Sequence, residues 1–223
     1  MTAPDQLRQF YLDPADHGES LFATWERGDA RGDSVTPSTY STEYRQWMTE
    51  LLRGYLEDSG GAMISIGSGN AVIEAELVQE GYTVLAVDLF PEAVEFARSK
   101  GVAAVCADVR RWTPPARQPW ALVYADGLMG HLYDPEEGLL PALSDMYDWL
   151  APQAGVLVIS NDRPPDVSDV EKAPNVPGFY WLSEEFLRKQ AAAAGFHELS
   201  CTTFLYRRPL SGERTRAVLT VRT

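Results

Sequence analysis

Four segments of this chain place side chains capable of chemistry directly after short apolar runs. Gly67-Ser68-Gly69-Asn70-Ala71 follows Ala62 to Ile66, and Asp88 follows Thr83 to Val87. Asp108 follows Val102 to Cys106, and Asp126-Gly127-Leu128-Met129-Gly130-His131 follows Trp120 to Tyr124. A glycine turn lets a ligand approach the backbone because no Cβ stands in its way. A carboxylate about 20 residues further on, at a second strand end, can accept both hydroxyls of a ribose. Asp88 stands at that spacing from Gly67. The plain alternatives are a tight turn for the glycines and a helix cap for Asp88. Asp108 is either a contact to an adenine edge or a solvated loop residue. His131 is one of three histidines. The ordinary imidazole pKa, about 6.5, suits proton transfer near neutrality, and the competing role is a packed or helix-terminal histidine. His17 and His197 lie in less telling places.

Other chemistries are disfavoured. A dinucleotide fingerprint wants a small sixth residue, and counting from Gly67 that residue is Val72. No Gly-Lys-Ser or Gly-Lys-Thr follows the glycines, which excludes an NTPase phosphate loop. Cys106 and Cys201 lack metal-ligand spacing and are too few for a disulfide framework, so no metal is expected.

The elements that must carry these residues alternate. Residues 1–35 are polar and broken by prolines and glycines, and Arg31-Gly32-Asp33 there is a tripeptide that recurs by chance. From Pro37 the pattern turns helical, with Tyr44, Trp47, Met48, Leu51, Leu52 and Tyr55 on one face and Gly60-Gly61 at the end. Strands are expected at 62–66, 83–87, 102–106, 120–124 and 155–160. Helices are expected at 72–78, at 91–100 with Pro91 in its first turn, and at 139–150. Strand and helix alternation of this kind builds a parallel sheet wound with helices. A proline-rich stretch follows, of a length that often forms a lid. A helix at 183–194 and two strands, 199–206 and 216–221, close the chain, the strands antiparallel because their link is short.

The chain has 223 residues, 19 Lys+Arg and 32 Asp+Glu, for a formal net charge of −13. Nucleic-acid affinity rests on cations meeting phosphates, so neither nucleic acid nor an anionic membrane surface is expected as a partner. No run of apolar residues is long enough to span a bilayer, and the first residues lack the pattern of a secretory signal. A cytoplasmic protein is the expectation, and a homodimer is compatible with it.

In order and spacing, these strand ends resemble the class I S-adenosylmethionine-dependent methyltransferases, over roughly residues 60–223. Ile64 to Asn70 resembles the family's first motif, Asp88 its ribose-binding acid, Ala107-Asp108-Val109 its adenine-flanking segment, and Asp126 to His131 its fourth motif. Leu150-Ala151-Pro152-Gln153-Ala154-Gly155 is similar to the turn before its fifth strand. The resemblance implies a Rossmann-like, doubly wound α/β fold with a mostly parallel sheet and an antiparallel last strand. A helical cap or lid over 1–58 would precede a catalytic domain over 59–223. It implies S-adenosylmethionine as cofactor, held by Gly67, Ser68, Gly69, Asn70, Asp88, Leu89, Asp108, Val109, Asp126 and Gly127. The family often carries an acid where this chain has Ser65, a glycine where it has Ala71, and Thr or Gly where it has Asn70. A backbone carbonyl of the loop, or Asp126, would then receive the methionyl ammonium.

The expected reaction is N- or O-methylation of a small molecule, with no added recognition domain. His131 is the candidate base or substrate anchor. Tyr40 and Tyr44, with Trp25, Tyr180 and Trp181, are candidates for an aromatic wall attractive to cations, whereas Trp47 reads better as packing. Three rivals stay open. One is a cyclase or alkyl-transfer enzyme that releases methylthioadenosine from the same cofactor. The others are an NAD-dependent oxidoreductase and a non-catalytic binding module.

Overall fold

The computed structural model describes residues 3–12, 18–115, 120–152 and 154–223. His17, Gln153 and part of the proline-broken N-terminal stretch lie outside them. Five parallel strands form the heart of a seven-stranded sheet: β1 (Ala62–Ile66), β2 (Val84–Asp88), β3 (Ala103–Cys106), β4 (Trp120–Asp126) and β5 (Val156–Asp162). Two long strands, β8 (His197–Arg208) and β9 (Gly212–Arg222), complete it. The order is β3-β2-β1-β4-β5-β9-β8, with β9 antiparallel to both neighbours. Strand order reverses between β1 and β4, which opens a crevice beyond their carboxyl ends. The Rossmann-like, mostly parallel sheet with an antiparallel last strand is therefore present. Every residue of β1 is buried, which is why its sequence is a continuous apolar run rather than an alternating one.

Helices cover both faces. Helix α4 (Thr42–Ser59) starts where Ser41 Oγ accepts the Tyr44 amide at 3.1 Å and ends at Gly60, whose φ is +60°. Its stripe Tyr44, Met48, Leu52 and Leu56 is buried against Met63, Leu122, Val158 and Val218. Helix α5 (Val72–Gln79) follows the glycine loop, and α6 (Pro91–Ser99) opens on Pro91, where a missing N–H costs nothing. Helices α8 (Leu140–Trp149) and α9 (Glu184–Ala193) pack on the opposite face with Phe196. Helix α4, which belongs to the expected 1–58 segment, shares the sheet's own core. The part that stands over the strand ends is shorter.

That cover is more regular than the sequence suggested. It holds helices α1 (Ala3–Leu12), α2 (Leu21–Glu26) and α3 (Pro37–Tyr40). Leu7, Phe10 and Tyr11 of α1 pack with Leu21, Phe22 and Trp25 of α2 and with Phe90. Gly18, Gly28 and Gly32, each with positive φ, lie between these helices among the described residues. The proline-rich stretch after β5 also contains a small hairpin, β6 (Val170–Lys172) with β7 (Tyr180–Leu182). Helix α7 (Met129–Leu132) lies beneath it. Strands β4 and β5 run two residues past their apolar segments because Asp126, Asn161 and Asp162 stay in register and find side-chain partners.

Leu52 is fully buried between α4 and the sheet. Leu52→Ala is expected to cost about 2–5 kcal/mol, read as a lower urea midpoint with an unchanged m-value.

Candidate active site

Beyond the carboxyl ends of β1 and β4 lies a cavity of about 510 Å³. Its first wall is the glycine loop. Gly67 and Gly69 have φ of +65° and +54°, a region that favours glycine, and a Cβ on Gly67 would come within 2.9 Å of Leu128. A Cβ on Gly69 would meet nothing within 4 Å, so the loop leaves open space there. The hydroxyl of Ser68 is buried with no hydrogen-bond partner among the described residues. Ala71 also has positive φ, +53°, and is the only non-glycine among the described residues to do so. That conformation accounts for the glycine the family favours at this position.

Asp88 ties the second strand to this loop. Its Oδ2 accepts the Gly69 amide at 2.9 Å and its Oδ1 accepts the Phe90 amide at 2.9 Å. A carboxylate offers about four acceptor sites, so capacity remains for ligand hydroxyls. Burial pushes its pKa up to about 6. Leu89, Asp108, Val109 and Gly127 also line the cavity. Asp108 caps the short 3₁₀ turn 109–111 through the Arg110 amide. Asn70 lines the cavity too, but its side-chain amide turns outward and donates to Glu26 of α2 at 3.0 Å.

The floor is polar and tightly paired. Asp126 bonds to Arg216 of β9, and accepts the hydroxyls of Tyr44 at 3.3 Å and Tyr124 at 3.1 Å. Arg216 also reaches Ser160 at 2.8 Å and Asp162 at 3.2 Å, and Asp162 is bonded by Arg208 and Tyr206. Tyr44 is fully buried behind Asp126, with its hydroxyl 2.6 Å from Ser160. Burial, with the Asp126 carboxylate, raises its phenol well above the ordinary range. Tyr44 is thus a support for Asp126 and does not line the cavity. Tyr40, 37% exposed, lies outside the cavity lining as well. The expected wall of Tyr40 and Tyr44 is replaced by other rings.

Those rings form the roof. Tyr11 stacks on Phe22 at 5.4 Å and meets Trp25 and Phe90 at 5.8 and 5.3 Å, while Phe179 stands 4.8 Å from His131. Trp25 and Tyr180 line the cavity as expected. Trp181 instead lies under Arg214, and Trp47 packs on Phe204. His131 Nε2 is 3.1 Å from the Tyr11 hydroxyl, and Nδ1 is 3.3 Å from the Gly178 carbonyl. A carbonyl only accepts, so Nδ1 carries the proton and Nε2 receives the Tyr11 O–H. Burial lowers the His131 pKa to about 4. The ring is neutral near pH 7 and a weak base. Residues the sequence reading missed are Tyr11, Phe90, Phe179, Arg216 and Glu74, a buried acid of α5 beside Ser65. A carboxylate inside the apolar run Val72-Ile73-Glu74-Ala75 was the available signal for the last of these.

A glycine loop, a strand-end acid and a crevice at the switch point are the features of a Rossmann-type nucleoside-binding site. The methyltransferase-domain family matches residues 38–200, and the chain belongs to that family. Its cofactor is S-adenosylmethionine. A tabtoxin biosynthesis enzyme of Pseudomonas amygdali pv. tabaci is 39% identical over 217 residues, covering 96% of this chain and 86% of that one. Among solved structures, the 1,6-didemethyltoxoflavin-N1-methyltransferase of Burkholderia thailandensis superposes with a TM-score of 0.65 at 20% identity, over 90% of this chain and 84% of that one. The magnesium protoporphyrin IX methyltransferase of Synechocystis PCC 6803 gives 0.66 at 18%, over 100% and 98%. These two share the fold.

The neutral His131 gives a pH signature. As pH falls from about 6.5 to the folded value of about 4, the unfolded chain binds a proton that the fold refuses. The stability due to neutral His131 is complete above that window and is lost on the way down. Asp88 and Glu74, raised to about 6 and about 7, act in the opposite sense and weaken the fold as pH rises through those values. Comparing wild type with His131→Gln isolates the histidine. Wild type should lose up to about 3 kcal/mol relative to the variant between pH 6.5 and 4, measured by urea unfolding at stepped pH.

Proposed function

We propose that this protein transfers a methyl group to nitrogen or oxygen of a small molecule. One observation carries the reading: the nucleoside end of the crevice and the aromatic roof enclose a single cavity of about 510 Å³, within the range of small-molecule sites. The 39% identical tabtoxin biosynthesis enzyme supports a small-molecule acceptor. The net charge of −13 supports it too, since a nucleic-acid acceptor would meet repulsion. Among the described residues no helix is long and apolar enough to cross a membrane. We place the protein in the cytoplasm, with no membrane or nucleic-acid partner, and a homodimer is compatible with the reading.

When bound, S-adenosylmethionine supplies an electrophilic methyl carbon on a sulfonium sulfur. Gly67, Ser68 and Gly69 form the cradle, Asp88 accepts the ribose hydroxyls, and Leu89, Asp108 and Val109 flank the base. Asp126 and Gly127 form the border with the acceptor side. Helices α1–α3 act as the lid. Tyr11, Trp25, Phe90 and Phe179 exclude water, and a dry, oriented site is where much of such a rate originates. His131 anchors Tyr11 and the Gly178 segment at the acceptor end rather than taking a proton. Tyr44 positions Asp126, and Tyr40 has no role in this mechanism.

S-adenosylhomocysteine at 100 times its dissociation constant should stabilise the fold by about 2.7 kcal/mol, a melting shift of about 5–10 °C, while NAD gives none. Turnover should release S-adenosylhomocysteine. A shift with NAD alone, or methylthioadenosine as the product, would overturn the proposal and favour the oxidoreductase or cyclase reading respectively. With an acceptor found by screening, His131→Ala should lower turnover about 10–100-fold through misplacement. Wild-type turnover would remove His131 from the mechanism.

A further inference from the structure

Ser65 stands at the end of β1, where the family often carries an acid, and Asp126, the nearest substitute, is already committed. Arg216 pairs with one of its oxygens and Tyr124 donates to the other. The uncommitted carboxylate is Glu74. It is the third residue of α5, 3% exposed, and it lines the same cavity. Ser65 Oγ donates to its Oε1 at 2.5 Å, which fixes the acid beside the strand end. Among the described residues no Lys, Arg or His nitrogen lies within 4.0 Å of it. A buried carboxylate without a counter-charge is expensive. The titratable groups around it are Asp126 and the neutral phenol of Tyr124 on β4 and Lys100 beyond α6, while Arg216, which lines the same cavity, is neutralised by Asp126 and Asp162.

We propose that Glu74, oriented by Ser65, is the carboxylate that receives the methionyl ammonium of S-adenosylmethionine, so that a serine on β1 and a glutamate on α5 together do the work of one strand-end acid. The inference rests on the cofactor reading above and concerns its amino-acid end alone. Its consequence is proton-linked binding. Burial holds the Glu74 carboxyl up to about 7, so below that pH a cationic ligand must displace a proton from it.

The test is calorimetry with two ligands, S-adenosylhomocysteine and methylthioadenosine, which lacks the amino-acid end. Glu74→Gln should weaken the homocysteine compound about tenfold or more and change methylthioadenosine less than about twofold. At pH 6, in buffers of different ionisation enthalpy, wild type should release more protons on binding the homocysteine compound than on binding methylthioadenosine, and in the variant that difference should vanish. Equal losses for both ligands would make Glu74 a merely structural residue and overturn the proposal. So would wild-type affinity for S-adenosylhomocysteine in the variant. If the wild-type protein binds neither compound, the cofactor reading itself falls, and this inference with it.

Discussion

A guanidinium withdrawn from water orders the functional end of this sheet. Arg216 is 3% exposed and enters from β9, which runs antiparallel to both β5 and β8. A charge so placed demands partners. It finds them on two strand ends, Asp126 of β4, and Ser160 and Asp162 of β5. Those bonds keep β4 and β5 extended past their apolar runs and hold the acids in the floor. Tyr44 adds a tie from α4 to the same cluster through Ser160 and Asp126. Removing one member would leave a buried charge unpaired, a larger loss than the pair's own net contribution. The closing hairpin is thus part of the site as well as of the sheet.

The cover is attached by different means. Glu26 of α2 accepts from Asn70 at 3.0 Å and pairs with Lys100 at 2.6 Å, and Lys100 also donates to the Asn70 carbonyl at 3.0 Å. Tyr11 of α1 donates to His131. Asp33 accepts the amides of Leu210 and Ser211 at the tip of the last hairpin. Arg31-Gly32-Asp33 is therefore a docking turn, its arginine bonded to the Glu19 carbonyl. These ties touch the glycine loop, the segment after β4 and the β8–β9 turn, so the lid rests on three separate parts of the protein, two of them in the cavity lining. Polar contacts of this partly exposed kind contribute little each. The aromatic cluster of Tyr11, Phe22, Trp25 and Phe90 supplies the apolar share of the lid's cohesion.

Much of this was legible in the sequence, and the limits have physical causes. Strands β1, β2, β4 and β5 were readable because both faces are buried, so each is an apolar run ended by glycine or acid, while the edge strand β3 is only partly buried. Gly67, Gly69 and Asp88 were readable because backbone approach and strand-end position restrict residue type. The floor was not. Arg216 and Asp162 sit in strands where polar residues usually face solvent, and only the register of β5 with β9 turns Arg216 inward. Tyr40 and Tyr44 looked alike in sequence, yet one is exposed and the other lies behind Asp126. Helix phase decides this: Tyr44 starts the buried stripe that continues at Met48, Leu52 and Leu56, and Tyr40 precedes the turn that sets it. Helices α1 and α2 are short, and short amphipathic segments give weak periodic signals until they are packed.

Two of the departures in the first motif, Ser65 and Ala71, belong together. Ala71 takes a left-handed conformation that costs a non-glycine residue of the order of 1 kcal/mol or more, and it does so as the residue that begins α5. Its methyl group is fully buried beside Ile73 and Leu77, so packing offsets part of the strain. Three residues on, Glu74 falls in the first turn of the helix, where the backbone amides favour negative charge. From there its side chain reaches Ser65 on the neighbouring strand. A longer acid at the strand end would crowd Glu74, and a smaller residue at 74 would leave Ser65 without its acceptor. The loop, the strained alanine, the serine and the glutamate form one local arrangement, in which the carboxylate beside the loop stands on the helix and the strand supplies its hydrogen-bond donor.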